Sequence, residues 1–320
     1  MIRTFILILL TSFFISFISL GQVVEKEKDL RKISIDSTLI GWKKGGMFNF
    51  TFSQVSLKHW AAGGENSVSA NMLFNLFAKY NKKRLSFENY LDFGYGLLKQ
   101  SSAKSRKTDD KIDFSSKVGY LIRNTSFFAA LFNFKTQSMP GYNYPNDSVK
   151  ISNFMSPAYI LFATGFDFKK KDIFSCFFAP ATGKLTYVSD PTLANSGAFG
   201  VDAAVLDTAG NIIKKGKHSR IEFGGYLKAV LNVKLFENVT LNSKLELFSN
   251  YFKKPQNIDV YWENLIGMKI NKFLAVSINT VLIYDDDIMI TIKDKAGNIT
   301  GQGPRTQFKE VVGLGFSYKF

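Results

Sequence analysis

The sequence holds one cysteine, two histidines and seven prolines in 320 residues. Cys176 alone cannot close an internal disulfide, and His59 and His218 beside a single thiol cannot furnish a zinc module, so neither covalent nor metal staples hold this chain together. After residue 21 no run of about 18 apolar residues recurs, which excludes a membrane-spanning helix from the rest of the sequence. Acidic residues are also scarce: Lys+Arg 41 against Asp+Glu 26 gives a net charge of +15. Such an excess suits an anionic surface as partner and says nothing about fold. What is abundant is apolar side chain, 46% of the whole with 32 phenylalanines, so a disordered chain is excluded as well.

The first residues read as a targeting segment. Arg3 precedes an apolar stretch from Phe5 to Leu20, and the small residues Ser19 and Gly21 suit a secretory cleavage site before Gln22. The competing reading is an uncleaved N-terminal anchor; the short apolar core and small-residue exit favour cleavage. No cysteine stands at the cleavage point, which argues against a lipoprotein, and export removes most of the case for nucleic-acid binding. Residues 22–46, opening on Glu25-Lys26-Glu27-Lys28-Asp29, read as a polar periplasmic lead, and 47–320 as the folded domain.

From Met47 onward the hydrophobic period is two, the period of strands. In 67–80, Val68, Ala70, Met72, Phe74, Leu76 and Ala78 share one face while Ser67, Ser69, Asn71, Asn75 and Lys79 fall on the other. Twelve such segments are expected: 47–54, 67–80, 84–99, 110–123, 126–137, 157–169, 172–188, 218–236, 239–253, 257–270, 273–288 and 305–320. Their connections alternate between tight turns, such as Asn81-Lys82-Lys83 and Glu237-Asn238, and mostly long loops. A soluble sandwich has no reason to sort its loops in this way. The pattern predicts an all-β, up-and-down antiparallel transmembrane β-barrel of about twelve strands, within a range of ten to fourteen, with both termini on the periplasmic side.

Only helices and closed sheets satisfy their backbone inside hydrocarbon, so the apolar faces should meet lipid and the polar faces a lumen. In 220–235, Arg220, Glu222, Lys228, Asn232 and Lys234 share one face. A cation at the bilayer midplane costs about 2–4 kcal/mol, which sends that face inward. The same reading gives a lumen carrying Glu88, Asp92, Asp113, Glu222, Glu246, Asp259 and Glu263 against Lys79, Lys117, Lys135, Lys184, Arg220, Lys228, Lys244 and Lys309. Mixed signs can either close a lumen by ion pairing or line a narrow aqueous path. Trp262 and Tyr251 near the loops, and Tyr80, Phe168 and Phe236 near the turns, suit interfacial aromatic girdles. Pro180 cannot donate to a sheet ladder and predicts a bulge or strand end near the outer rim. The insertion 189–217, with a hairpin-like pair around Thr208-Ala209-Gly210-Asn211, is placed to cap a pore.

In the last strand, Gly315, Tyr318 and the terminal Phe320 are similar to the C-terminal assembly signal of outer-membrane barrels, which implies the barrel-assembly machinery as a partner. Five loop motifs carry a wider likeness: Trp60-Ala61-Ala62-Gly63-Gly64-Glu65-Asn66-Ser67, Lys107-Thr108-Asp109-Asp110-Lys111-Ile112-Asp113, Pro140-Gly141-Tyr142-Asn143-Tyr144-Pro145, Gly197-Ala198-Phe199-Gly200-Val201 and Ile283-Tyr284-Asp285-Asp286-Asp287. Together they resemble the domain-of-unknown-function 3078 family of Bacteroidota, over about Met47 to Phe320. The resemblance implies an outer-membrane β-barrel of unestablished activity and supplies no catalytic or binding residues.

Candidate chemistry is sparse. A barrel-embedded lipid hydrolase needs a base, and neither His59 in the first outer loop nor His218 at a strand start lies mid-strand on the lipid face, so no enzymatic activity and no cofactor are expected. Asp285, Asp286 and Asp287, with Asp294 across the loop, offer the oxygen ligands that Ca²⁺ takes; a solvated acidic rim is preferred, for these and for Asp109, Asp110 and Asp113. The basic groups Lys104, Arg106, Lys107 and Lys214, Lys215, Lys217 outside, with Lys82, Lys83, Arg84 and Lys169, Lys170, Lys171 at the turns, either dock anionic lipid, including lipopolysaccharide phosphates, or keep edges wet. The expectation is a monomeric, porin-like small-solute channel or structural barrel, with surface adhesion or assembly as the alternative.

Overall fold

The computed structural model describes residues 41–58, 65–100, 103–144, 146–171, 173–270, 275–293 and 299–319. The expected signal segment, most of the expected lead, His59, Asp294 and Phe320 lie outside them. Twelve long strands form the sheet: β1 Gly41–Val55, β2 Ser67–Lys82, β3 Leu85–Gln100, β4 Arg106–Arg123, β5 Ser126–Thr136, β6 Ala158–Lys170, β7 Phe174–Tyr187, β8 Ser219–Phe236, β9 Val239–Asn250, β10 Ile258–Lys269, β11 Ala275–Tyr284 and β12 Gln307–Lys319. Each pairs antiparallel with its sequence neighbours, and β1 pairs β12 to close the ring. The expected segments are all present, with ends shifted by a few residues. The largest shift is at β1, which begins at Gly41, so 41–46 is strand and not lead. Trp42 explains this: it stands across from Tyr80 and packs its ring against it at 5.3 Å.

The pleat sorts the side chains as hydrocarbon requires. Along β6, Phe162, Phe166 and Phe168 are 55%, 54% and 43% exposed, whereas Ala163, Asp167 and Lys169 on the alternate row are 0%, 2% and 3%. Burial by the barrel itself therefore falls on the polar row, the reverse of a soluble sandwich. Phe236 and Tyr251 stand exposed at the turn and loop ends. Trp262 lies deeper and donates its indole N–H to Ser243 at 2.9 Å. Ser243 Oγ bonds Asn264 Oδ1 at 2.7 Å, and Asn264 donates to Thr280 at 3.4 Å, so the polar groups of this outer row satisfy one another.

The turn-end connections are 83–84, 124–125, 171–173, 237–238 and 270–274, against loop-end connections that include 137–157, 188–218 and 285–306. Asn124 takes φ +43° in its turn, a left-handed conformation that asparagine tolerates. Of the loop-end connections, 101–105 and 251–257 are short. Pro180 does produce a bulge, with β7 slipping register against both β6 and β8 around residues 179–182. The bulge is mid-strand, not at the rim. It fits there because Gly165 lies opposite, where a Cβ would collide with the Phe178 carbonyl. Closure is shorter than the other pairings: Met47–Phe50 pair Phe316–Lys319, against fifteen β1–β2 partners from Gly41 to Val55.

This geometry places Phe162 in hydrocarbon. Phe162→Arg should lower folding stability by about 2–4 kcal/mol, read as a shifted urea midpoint for the heat-modifiable gel form of the barrel. An unchanged midpoint would contradict a lipid-facing position.

Candidate functional site: a charged lumen

Inward residues from ten or more strands meet in three tiers. At the turn end, Lys169 donates to Glu88 at 2.6 Å and Lys117 to Asp167 at 2.5 Å, and the cross pairs Lys117–Glu88 and Lys169–Asp167 are each 3.6 Å. These four residues come from β3, β4 and β6, so the square spans neighbouring walls. Lys79 stands across the β2–β3 ladder from Glu88.

The middle tier crosses the lumen. Lys135 on β5 reaches Glu246 on β9 at 2.9 Å and stands 3.9 Å from Asp113. Lys228 lies 3.5 Å from Glu246, Lys111 3.8 Å from Asp113, and Lys244 2.9 Å from Glu263. Asn133 and Asn75 donate amide protons to Asp113 and Asp92 at 2.7 and 2.6 Å. Beside this tier one wall is apolar, with Ala129, Leu131, Ala163, Phe177, Ala179, Tyr226 and Phe248 buried together. Lys309 on β12 reaches across the ring to Asp109 on β4 at 3.4 Å.

The loop-end tier is a further cluster of ion pairs. Lys184 pairs Asp259 at 2.7 Å and approaches Glu222 and Asp285 at 3.6 and 3.9 Å. Arg220 holds Glu222 at 2.7 Å and Asp287 at 2.9 Å, and Lys253 also reaches Asp287 at 2.9 Å. Asn257 donates to Asp286 at 2.6 Å, with Lys254 at 3.6 Å. The Asp285–Asp287 run is therefore not a solvated rim: each carboxylate faces a cationic side chain, and among the described residues, which leave out Asp294, no cluster of three metal-ligating groups is found. Burial pushes the Asp287 carboxyl up, but the hydrogen bond from Lys253 and the charge of Arg220 outweigh it and hold the group below the usual aspartate value.

The 189–217 insertion does bear on this mouth. Asp190 caps the short helix α1, Pro191–Asn195, accepting from Thr192 N at 3.0 Å. Val188, Leu193, Ala194 and Val201 form its own small core, and Gly200, at φ +78°, packs so closely on Arg220 and Asp287 that a side chain there would displace the Arg220 guanidinium and strain the backbone. The hairpin Val205–Leu206 with Ile212–Lys214 is present.

Between the turn-end and middle tiers lies a cavity of about 120 Å³, lined among others by Glu88, Asp92, Asp113, Asp167, Lys117 and Lys228. Asp167 and Lys169 escaped the sequence reading: Lys169 was assigned to a turn cluster, yet its amine is inside, 4% exposed. The signal was present in the alternation with Phe166 and Phe168. Lys111 and Asp113 are likewise interior, not rim. Lys107 is not a free surface cation, since its amine binds Asp110, Gln137 and the Met139 carbonyl at 2.9, 3.0 and 2.7 Å. Lys104 is held by Asp147 at 2.6 Å. His218 Nδ1 lies 2.6 Å from the Val188 carbonyl oxygen. Gly315 and Tyr318 lie in β12.

These features define an integral outer-membrane β-barrel with a charged lumen crossed by ion pairs. Residues 52–142 match the family model described as a protein of unknown function, DUF3078, the family that the loop motifs resemble; the match ends well before the motifs at 197–201 and 283–287. No curated protein matches the sequence. Among solved structures, the COG4313 outer membrane channel from Pseudomonas putida F1 is similar at 10% identity and TM-score 0.39, over 88% of this chain and 96% of that one. The translocator domain of autotransporter NalP from Neisseria meningitidis follows at 10% and 0.29, over 91% and 94%. The Pseudomonas putida toluene transporter TodX stands at 9% and 0.29, over 94% and 95%.

Removing one member of a buried pair strands the other. Glu88→Ala should cost about 3–5 kcal/mol in urea unfolding, whereas replacing Glu88 and Lys169 together by Met should cost far less. Equal losses in the two variants would contradict a buried, mutually compensated pair.

Proposed function

We propose that the protein is a narrow channel for small solutes, held shut at the loop end by Arg220, Lys184 and the Asp285–Asp287 run. The observation that carries this reading is the lumen itself: both signs of charge surround a cavity of about 120 Å³. Apolar side chains of similar volume usually fill an interior at equal or lower free energy than buried ion pairs, so a barrel needing only to stand would have little use for this lattice. Charges that can exchange partners with water or a polar solute suit a path that opens. The cross-lumen reach of Lys135 to Glu246 (2.9 Å) also favours a second reading, a structural or surface-adhesion barrel whose lumen stays closed.

In the channel reading the tight turns and both outermost strand ends face the periplasm, and the long loops face outward. The exposed Lys214 and Lys215 then meet lipopolysaccharide phosphates, and β12 meets the assembly machinery. The barrel acts as a monomer, without a cofactor and without catalytic chemistry.

Planar-bilayer recording tests this. The unaltered protein should open rarely and in small steps, and Arg220→Ala should raise open probability roughly tenfold, the effect of losing about 1.4 kcal/mol of latch. Acid should act in the same direction. Because the folded Asp287 pKa is lowered, its contribution to the closed form is intact above the ordinary aspartate value near 3.9 and is lost as pH falls through the lower folded value. Silence from both proteins would favour the closed structural barrel.

A further inference from the structure

Two polar groups lining the cavity are not used up by the lattice. Asp167 on β6 is 2% exposed. Its Oδ2 takes Lys117 at 2.5 Å and Lys169 at 3.6 Å, while its Oδ1 has no hydrogen-bond partner among the described residues. Lys228 on β8 has, among the described residues, a single ionic contact, Glu246 Oε1 at 3.5 Å. Both residues line the cavity: Lys228 brings a cationic donor with one ionic contact, and Asp167 a carboxylate whose Oδ1 is shielded and without a partner among the described residues, so a solute that drew this carboxylate toward it would supply the missing partner.

Charge balance narrows what can fill it. Four carboxylates, Glu88, Asp92, Asp113 and Asp167, line the cavity with three ammonium groups, Lys117, Lys228 and Lys244; their ion-pair partners add Lys111, Lys135 and Lys169 on one side and Glu246 and Glu263 on the other, six charges of each sign. A lone cation or anion would add an uncompensated charge to a poorly hydrated interior, whereas a solute carrying both signs adds none. Size narrows it further. A cavity of about 120 Å³ is slightly smaller than one of about 150 Å³ that holds benzene, so the solute has about six heavy atoms. Leu131 and Phe177 line the same space and give a short alkyl group an apolar wall.

We propose that this chamber is a binding site for small zwitterions of the amino-acid class. The ammonium donates to the Asp167 carboxylate, which turns toward the solute, and the carboxylate accepts from Lys228 Nζ. The assignment deepens the channel reading by naming its solute class, but binding is measurable without conduction.

The test is calorimetric titration of the full chain in detergent micelles with alanine, and with methylamine and acetate as its separated halves. Alanine should bind saturably and at least about tenfold more tightly than either half. Asp167→Asn and Lys228→Gln, each checked for heat-modifiable gel mobility, should each weaken it by about tenfold or more. Absence of saturable alanine binding, equal binding of the separated halves, or alanine binding that survives both substitutions would overturn the assignment. Alanine binding with silent bilayers supports the site and counts against the channel; conducting bilayers without alanine binding do the reverse.

Discussion

A peptide N–H in hydrocarbon has no water to turn to, and every other feature of this molecule follows from that. A sheet entering the bilayer must pair all its strands and return on itself, so the twelve strands form a ring in which each bonds its sequence neighbours and β1 meets β12. Once the ring exists, the pleat divides each strand into a lipid row and an enclosed row. The phenylalanines of β6 and the aspartate and lysine that alternate with them are sent to opposite sides by this geometry alone.

The enclosed row has a different difficulty. Its ammonium and carboxylate groups lose bulk water and must compensate one another, and they do so over long sequence distances: Lys169 with Glu88, Lys135 with Glu246, Arg220 with Asp287. Some pairs follow a wall, as Lys244 and Glu263 do by standing opposite each other across β9 and β10. Others cross the lumen and fill it. The loop-end pairs add a further consequence, since Arg220 and Asp287 also seat Gly200 of the insertion. Lumen and outer loop thus share one ion-pair cluster.

Much of this was legible in the sequence because period two and loop sorting are local signals. The strands were found from alternation, and the interior position of Glu222 and Lys228 from their shared row. The polar network was only half legible. Lys169 sits in a Lys-Lys-Lys run that reads as a wet turn, although it also ends the expected strand 157–169, and its alternation with Phe166 and Phe168 puts its amine indoors. The Asp285–Asp287 run looks like a metal loop or a solvated rim because its partners, Lys184, Arg220 and Lys253, are far away in sequence. Pro180 announced a bulge but not its depth, which depends on Gly165 in the neighbouring strand.

The division into lipid and lumen rows is tested most directly by spin labels on single cysteines at positions 226–233 of β8, in a Cys176→Ala background, with the protein in bilayers. Collision with lipid-dissolved oxygen should be high at Leu227, Ala229, Leu231 and Val233 and low at Tyr226, Lys228, Val230 and Asn232, with a period of two. Low oxygen access at the odd-numbered positions, as when that row packs against other protein, would contradict the account.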